Sequence, residues 1–234
     1  ESVGRDLVSQ VASQFGIQSD LAAGPALALG ASESTLIEMA GAYAGILNGG
    51  SSVTPYGLVE LRLQGDEEPL MGTGGGIGER VIQESAARQL VYMMEKVISE
   101  GSGQRGQFGG RQLAGKTGTT SAAKDAWFIG FSADYVAGVW MGYDDNTPLS
   151  GVTGGGLPTD IWREVMSRVH EGLPPKDLPM SAPAPLSDFS DEGQDGQNTG
   201  NGGGSGTVID QILNEIFGSS GSGSSAPNPE GGDR

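Results

Sequence analysis

Lys116, Thr117, Gly118 and Thr119 place an ammonium group, two hydroxyls and a residue without a side chain at four consecutive positions, inside the stretch 112–120. At this spacing they suit the edge of a β-strand that grips an anionic peptide. The glycine lets a substrate backbone come close, while the hydroxyls and the ammonium group hold a carboxylate. An ordinary edge strand with a solvated lysine would give the same four letters, so the surroundings have to decide. Two other patterns overlap this one. Residues 110–117 satisfy the phosphate-loop pattern G-x-x-x-x-G-K-[ST], but such a loop needs an apolar strand before it and a helix opening at the lysine. Here residues 102–109 are polar and glycine-rich, and residues 117–120 are poor helix formers. Ser121 and Lys124 form a nominal S-x-x-K. A nucleophilic serine needs its lysine one helical turn away on a buried helix start, whereas these residues connect two strands and read as a hairpin loop.

The elements that must position Lys116–Thr119 are legible around it. Val8, Val11, Ala12 and Phe15 recur at helical spacing, and Gly16 ends that helix. Thr35 and Glu38 form a capping box that opens a second helix, with Leu36, Met39, Ala40, Tyr43 and Leu47 on one face and residues 48–50 closing it. Val59, Leu61 and Leu63 alternate with polar residues as in a half-buried strand turned at Gly65, and residues 71–78 read as a glycine-rich loop. A third helix spans about 85–99, with Ala87, Leu90, Met94 and Val97 inward, and 101–110 is loop. Strands are expected at about 111–119, 126–132 and 135–143. Trp127, Ile129 and Phe131 should share a face of the second, and the third should be a central strand covered on both faces. Trp127 and Trp140 are assigned to the core. A last helix, 158–171, starts with Pro158 in its first turn and should turn Ile161, Val165 and Val169 inward. His170 at its end is expected to favour the C-terminal dipole when charged.

Composition narrows the partners. The chain has 234 residues with 29 acidic against 13 basic side chains, a net charge of −16, which argues against nucleic acid. Residues 1–176 hold 20 acids and 12 bases, and residues 177–234 hold 9 and 1, so each part is near −8. With no cysteine there is no disulfide framework or thiolate metal site, and a single histidine argues against a His-rich metal centre or a Ser-His-Asp triad. Neither a metal nor a cofactor is expected. No run of 18 apolar residues suits a membrane-spanning helix. Residues 181–206 read as a disordered linker, residues 207–217 as a short amphipathic helix, and residues 218–234 as linker again.

Five blocks now stand in one order: Leu27–Gly50, Gly115–Thr120, Asp125–Phe131, Gly138–Asn146 and Val152–Trp162. Together they closely resemble the C-terminal half of the transpeptidase domain of class A penicillin-binding proteins, over roughly residues 1–170. K-T-G is one of three signatures of penicillin-binding proteins and serine β-lactamases, beside S-x-x-K and S-x-N. The resemblance implies an α/β (α+β) fold of the β-lactamase/transpeptidase type, an antiparallel sheet flanked by helices and here incomplete. It divides the chain into a transpeptidase portion, 1–176, and an acidic Gly/Ser-rich tail, 177–234.

The resemblance also implies roles. Lys116 and Thr119 would be catalytic, the lysine in the proton network of the serine and the Thr119 N–H as half of an oxyanion hole. Thr117, Gly118, Thr119 and Thr120 would bind substrate, the hydroxyls holding the free carboxylate of a D-Ala-D-Ala stem or a β-lactam. Thr153–Gly156 would border the cleft. The implied activity is a serine-type D,D-transpeptidase, part of a bifunctional peptidoglycan synthase. The readings beside it are a D,D-carboxypeptidase or β-lactamase-like hydrolase, and a non-catalytic peptide-binding piece. The expected partners are peptidoglycan stem peptides, β-lactams and the upstream half of the same domain. The expected place is the periplasmic face of the inner membrane, with membrane contact only through an N-terminal anchor outside this chain. No serine here has asparagine two positions later and the opening residues already run into a helix. The chain is therefore expected to be a fragment, inactive alone.

Overall fold

A computed structural model describes residues 4–183, apart from 23, 31 and 73. Helix α1, Arg5–Gln14, stops at Phe15 and Gly16, where a φ of 100° turns the chain out of the helix. Helix α2, Leu36–Leu47, opens with the expected reciprocal cap. The Glu38 N–H donates to Thr35 Oγ1 (3.3 Å), and the Glu38 carboxylate accepts from the Thr35 N–H (2.9 Å). The same carboxylate accepts from Gln18 N (2.9 Å) and Ser19 Oγ (2.7 Å), so one side chain ties the segment after α1 to the start of α2. These donors hold the Glu38 carboxyl down to about 2, the Thr35 N–H contributing most.

The next stretch departs from the sequence reading. Strand β1, Ser51–Thr54, pairs antiparallel with β4, Gly76–Arg80, which begins within the segment 71–78 expected to be loop. Of the expected strand at 59–63 only Glu60–Leu61, β2, pairs, with Met71–Gly72, β3. Val59, Leu61 and Leu63 are exposed, not half-buried. Alternation marks a face, but burial needs a second layer, and among the described residues no other element packs broadly on this two-stranded arm.

Helix α3, Glu84–Ser99, buries Ala87, Val91, Met94 and Ile98. Ala87 and Met94 were expected there; Leu90 and Val97 are only half-buried. The main sheet follows in the order β5-β6-β7, with β5 Ala114–Thr119, β6 Asp125–Phe131 and β7 Val136–Gly142, all antiparallel. Helices α2 and α3 pack on one face, against Ala114, Ile129, Phe131 and Gly138. Helix α4, Leu157–Val169, packs on the other, where Phe128, Trp162 and Met166 are buried with Ile98 and Leu113. Trp162 Nε1 donates to the Gly130 (3.2 Å) and Ala137 (3.1 Å) carbonyls, and its ring meets Phe128 edge-on at 5.1 Å. A Cβ at Gly130 would lie 2.9 Å from the indole, so the flat layer depends on glycine there.

Further expectations are corrected by this packing. In α4 the inward residues are Pro158, Thr159, Trp162 and Met166, while Ile161, Val165 and Val169 are exposed. The helix carries two apolar stripes, and the indole with its two carbonyl acceptors decides which one turns in. Strand β7 ends the sheet among the described residues, as a strand left without its upstream partner should, but none of its residues is fully buried, so the expected cover on both faces is incomplete. Trp140 is exposed and Trp127 half-buried, their rings 6.3 Å apart on the sheet surface. His170 is not a surface charge at a helix end. It is buried, with Nδ1 2.7 Å from the Met166 carbonyl and Nε2 2.8 Å from Ser132 Oγ. Ser132 Oγ already accepts from the N–H groups of Asp134 and Tyr135, so its proton goes to Nε2 and the ring carries its hydrogen on Nδ1.

Past residue 176 the chain stays packed through Leu178, which is buried, and Met180; Ser181 N donates to the Arg88 carbonyl. Of the linker expected at 181–206 only residues 181–183 are described; the rest of it, the helix expected at 207–217 and the linker expected at 218–234 lie outside the described residues. Among the described residues no helix is long and apolar enough to cross a membrane.

Candidate active site

Among the described residues strand β5 has a partner strand on one side only, so its outer edge runs open past Lys116–Thr119. Opposed residues of an antiparallel pair point to the same face. Thr117 stands opposite Phe128 and Thr119 opposite Ala126, which puts both hydroxyls on the α4 side of the sheet. Lys116 stands opposite Ile129 and Gly118 opposite Trp127, on the α2 and α3 side. The motif therefore sorts its cation from its hydroxyls by the pleat alone. Lys116 is exposed, its Nζ donates to the Thr117 carbonyl (2.9 Å), and it makes no ion pair among the described residues.

The hydroxyl face is roofed by residues 153–156. Gly154 N donates to Thr119 Oγ1 (3.0 Å), and Thr159 Oγ1 donates to the Gly154 carbonyl (2.7 Å), which moors the loop to the first turn of α4. A Cβ at Gly154 would fall 2.4 Å from both the Gly118 and Trp127 carbonyl oxygens, and one at Gly155 would fall 2.4 Å from the Ser102 carbonyl oxygen. Only glycine allows the loop to sit this close to the strand. Arg105, in a single 3₁₀ turn at Gln104–Gly106, pairs with Asp160 and holds the Asp160 carboxyl below the ordinary range. The loop after α3 is thereby fastened to the start of α4.

Thr117 Oγ1 lies 2.6 Å from Ser102 Oγ. Ser102 is the residue that motif reading missed; the only hint is its place between two glycines just after a helix end. Thr120 lies beyond β5, and its Oγ1 accepts from Asp125 N (2.9 Å), so its hydroxyl helps close the β5–β6 hairpin. Ser121–Ala123 is a 3₁₀ turn in that hairpin, with Ala122 at φ 61° and Ala123 at φ 50°. Ser121 and Lys124 thus share no helical turn, and Lys116 lies within a strand, not at the helix start that a phosphate loop requires. Among the described residues no group of three acidic or histidine side chains could hold a metal ion.

Residues 4–167 match the family model of the penicillin-binding protein transpeptidase domain. The chain belongs to that family. It is 32% identical over 187 residues to penicillin-binding protein 1A of Neisseria lactamica, covering 76% of this chain and 23% of the relative. The chain thus spans about a quarter of the length of the curated relatives it matches. Among solved structures, penicillin-binding protein 1A of Haemophilus influenzae superposes with a TM-score of 0.66 at 27% identity, over 75% of this chain and 32% of that one. Penicillin-binding protein A of Mycobacterium tuberculosis, solved as an imipenem acyl-enzyme complex, gives 0.53 at 25% identity, over 70% and 42%. The three-stranded sheet with helices on both faces is thus part of a penicillin-binding transpeptidase fold, and strand β5 carries that family's Lys-Thr-Gly signature.

Proposed function

We propose that this chain supplies the carboxylate clamp and half of the oxyanion hole of a serine D,D-transpeptidase domain acting on peptidoglycan stem peptides. In that reaction a serine on the upstream part of the domain attacks the penultimate D-Ala carbonyl. Terminal D-Ala leaves with a proton, and the amine of a neighbouring stem then takes the acyl group. The open edge of β5 pairs with the substrate backbone by strand addition. Thr117 and Thr119 donate to the free carboxylate, the Thr119 N–H faces the developing oxyanion, and Lys116 sits in the proton network of the serine. The observation that carries this reading is the hydroxyl pair on one face of an edge strand beneath a glycine loop that touches it.

The same clamp would serve a carboxypeptidase or β-lactamase, where water is the acceptor. The likeness to penicillin-binding protein 1A favours the transpeptidase. The same likeness supports an extracytoplasmic, membrane-anchored setting for the whole protein, with β-lactams as inhibitors that occupy the substrate site. Labelling by a fluorescent penicillin tests the assignment. The chain alone should form no covalent adduct, and a longer protein with the upstream part of the domain should be labelled. An adduct on Ser121, or no labelling of the longer protein, would overturn it.

A further inference from the structure

Ser102 has no place in the Lys-Thr-Gly motif, yet the fold goes to some length to put its hydroxyl beside Thr117. After α3 the chain folds back on the helix end, with Gly103 N donating to the Val97 carbonyl (2.8 Å). A Cβ at Gly101 would lie 2.9 Å from Val97 Cα, and one at Gly103 would lie 3.1–3.2 Å from Phe128, Ile98 and Val97. Two glycines therefore let the loop press against the core, and the serine between them keeps a side chain that faces β5. Gly155 closes from above, with no room for a Cβ over the Ser102 carbonyl. The hydroxyl ends 2.6 Å from Thr117 Oγ1.

We propose that Ser102 is a positioning residue for carboxylate recognition by Thr117, an inference that rests on the carboxylate-clamp reading above. Each hydroxyl carries one proton, so between Ser102 and Thr117 only one can donate. A carboxylate is an acceptor alone. When it binds, Thr117 must give its proton outward, and it can do so without losing the short contact only if Ser102 donates to it. Ser102 thus fixes the Thr117 rotamer and sets the direction of the hydrogen-bond chain, Ser102 to Thr117 to ligand. In the free protein the pair is open to water and contributes little to stability. Once the ligand excludes water the charge-assisted bond depends on it.

The test uses the 234-residue chain with isotope-labelled threonine methyls. Three-bond couplings report the Thr117 χ1 rotamer, and titration with N-acetyl-D-Ala-D-Ala and with its C-terminal amide reports carboxylate binding. In the wild type Thr117 should hold one rotamer and prefer the acid. Ser102→Ala should average the rotamer and weaken acid binding roughly three- to tenfold, the loss of one hydrogen bond, with thermal stability unchanged. Ser102→Thr, which keeps the hydroxyl, should restore both. If the wild type prefers the acid and Ser102→Ala leaves rotamer and affinity as they were, the inference fails alone. If the wild type treats acid and amide alike, the carboxylate-clamp reading fails and takes the inference with it.

Discussion

The residues that matter most at this site are distinguished by which face of β5 they occupy. Lys116 is exposed and donates to the Thr117 carbonyl, so its removal should not disturb the fold. In a longer protein that carries the upstream part of the domain, Lys116→Ala should slow acylation by β-lactam by about 10²–10³, the usual loss for one preorganised stabiliser, with an unchanged melting temperature. Stopped-flow acylation kinetics check this, and a rate within a few-fold of wild type would remove the role assigned to the lysine. Lys116–Thr119 could be picked from the sequence because its chemistry is local. Ser102 could not, since only the fold brings position 102 to position 117. Glu38 makes a second residue-scale prediction. Its folded carboxyl is depressed from 4.5 to about 2, so it stabilises the fold above pH 4.5, and that contribution drains away as the pH falls toward 2. Urea titrations across that window should show wild-type stability falling, and Glu38→Gln should flatten the acid limb. Equal slopes for the two proteins would show that other carboxylates set it.

At the scale of elements, patterns with an internal stop were legible and patterns that depend on a neighbour were not. The cap at Thr35–Glu38 and the helix end at Gly16 are written in adjacent residues, and both stand as expected. The apolar stripe of α4 could be drawn along Ile161, Val165 and Val169 or along Trp162 and Met166, and only the carbonyls of Gly130 and Ala137 choose between them. The arm at 59–72 shows the same limit, since alternation without a covering layer leaves its apolar residues in water. The fit between loop 153–156 and β5 gives a testable consequence. Gly154→Ala would push a methyl into the Gly118 and Trp127 carbonyls, lifting the loop off Thr119. We expect a destabilisation of about 1–3 kcal/mol, as for overpacking, together with loss of penicillin labelling in the longer protein. Denaturant titration and labelling read the two effects. A variant with wild-type stability and labelling would mean that the loop does not rest on the strand.

At the scale of the whole molecule, the sheet is open on both sides in the described residues, with different character at each edge. The β5 edge is guarded by the lysine and polar residues of the site. The β7 edge reads Val-Ala-Gly-Val-Trp-Met-Gly, with no charge and no proline to discourage pairing. The helix α4 that packs beside it exposes Leu157, Ile161, Val165 and Val169. The net charge of −16 opposes association, but screening shortens its reach to about 8 Å at physiological ionic strength. Light scattering should therefore show this chain self-associating as salt is added and returning toward monomer when the upstream part of the domain is supplied. A monomer at high salt would mean that the edge is covered. Everything proposed for the site turns on Thr117 and Thr119 recognising a free carboxylate for acyl transfer. The most direct test of that recognition is the acylation rate of the longer protein on a D-Ala-D-Ala stem peptide and on the same peptide amidated at its C-terminus. The acid should react faster than the amide by about tenfold or more, and Thr117→Val with Thr119→Val should erase the preference. Equal rates on acid and amide in the wild type, or a preference that survives the double substitution, would contradict it.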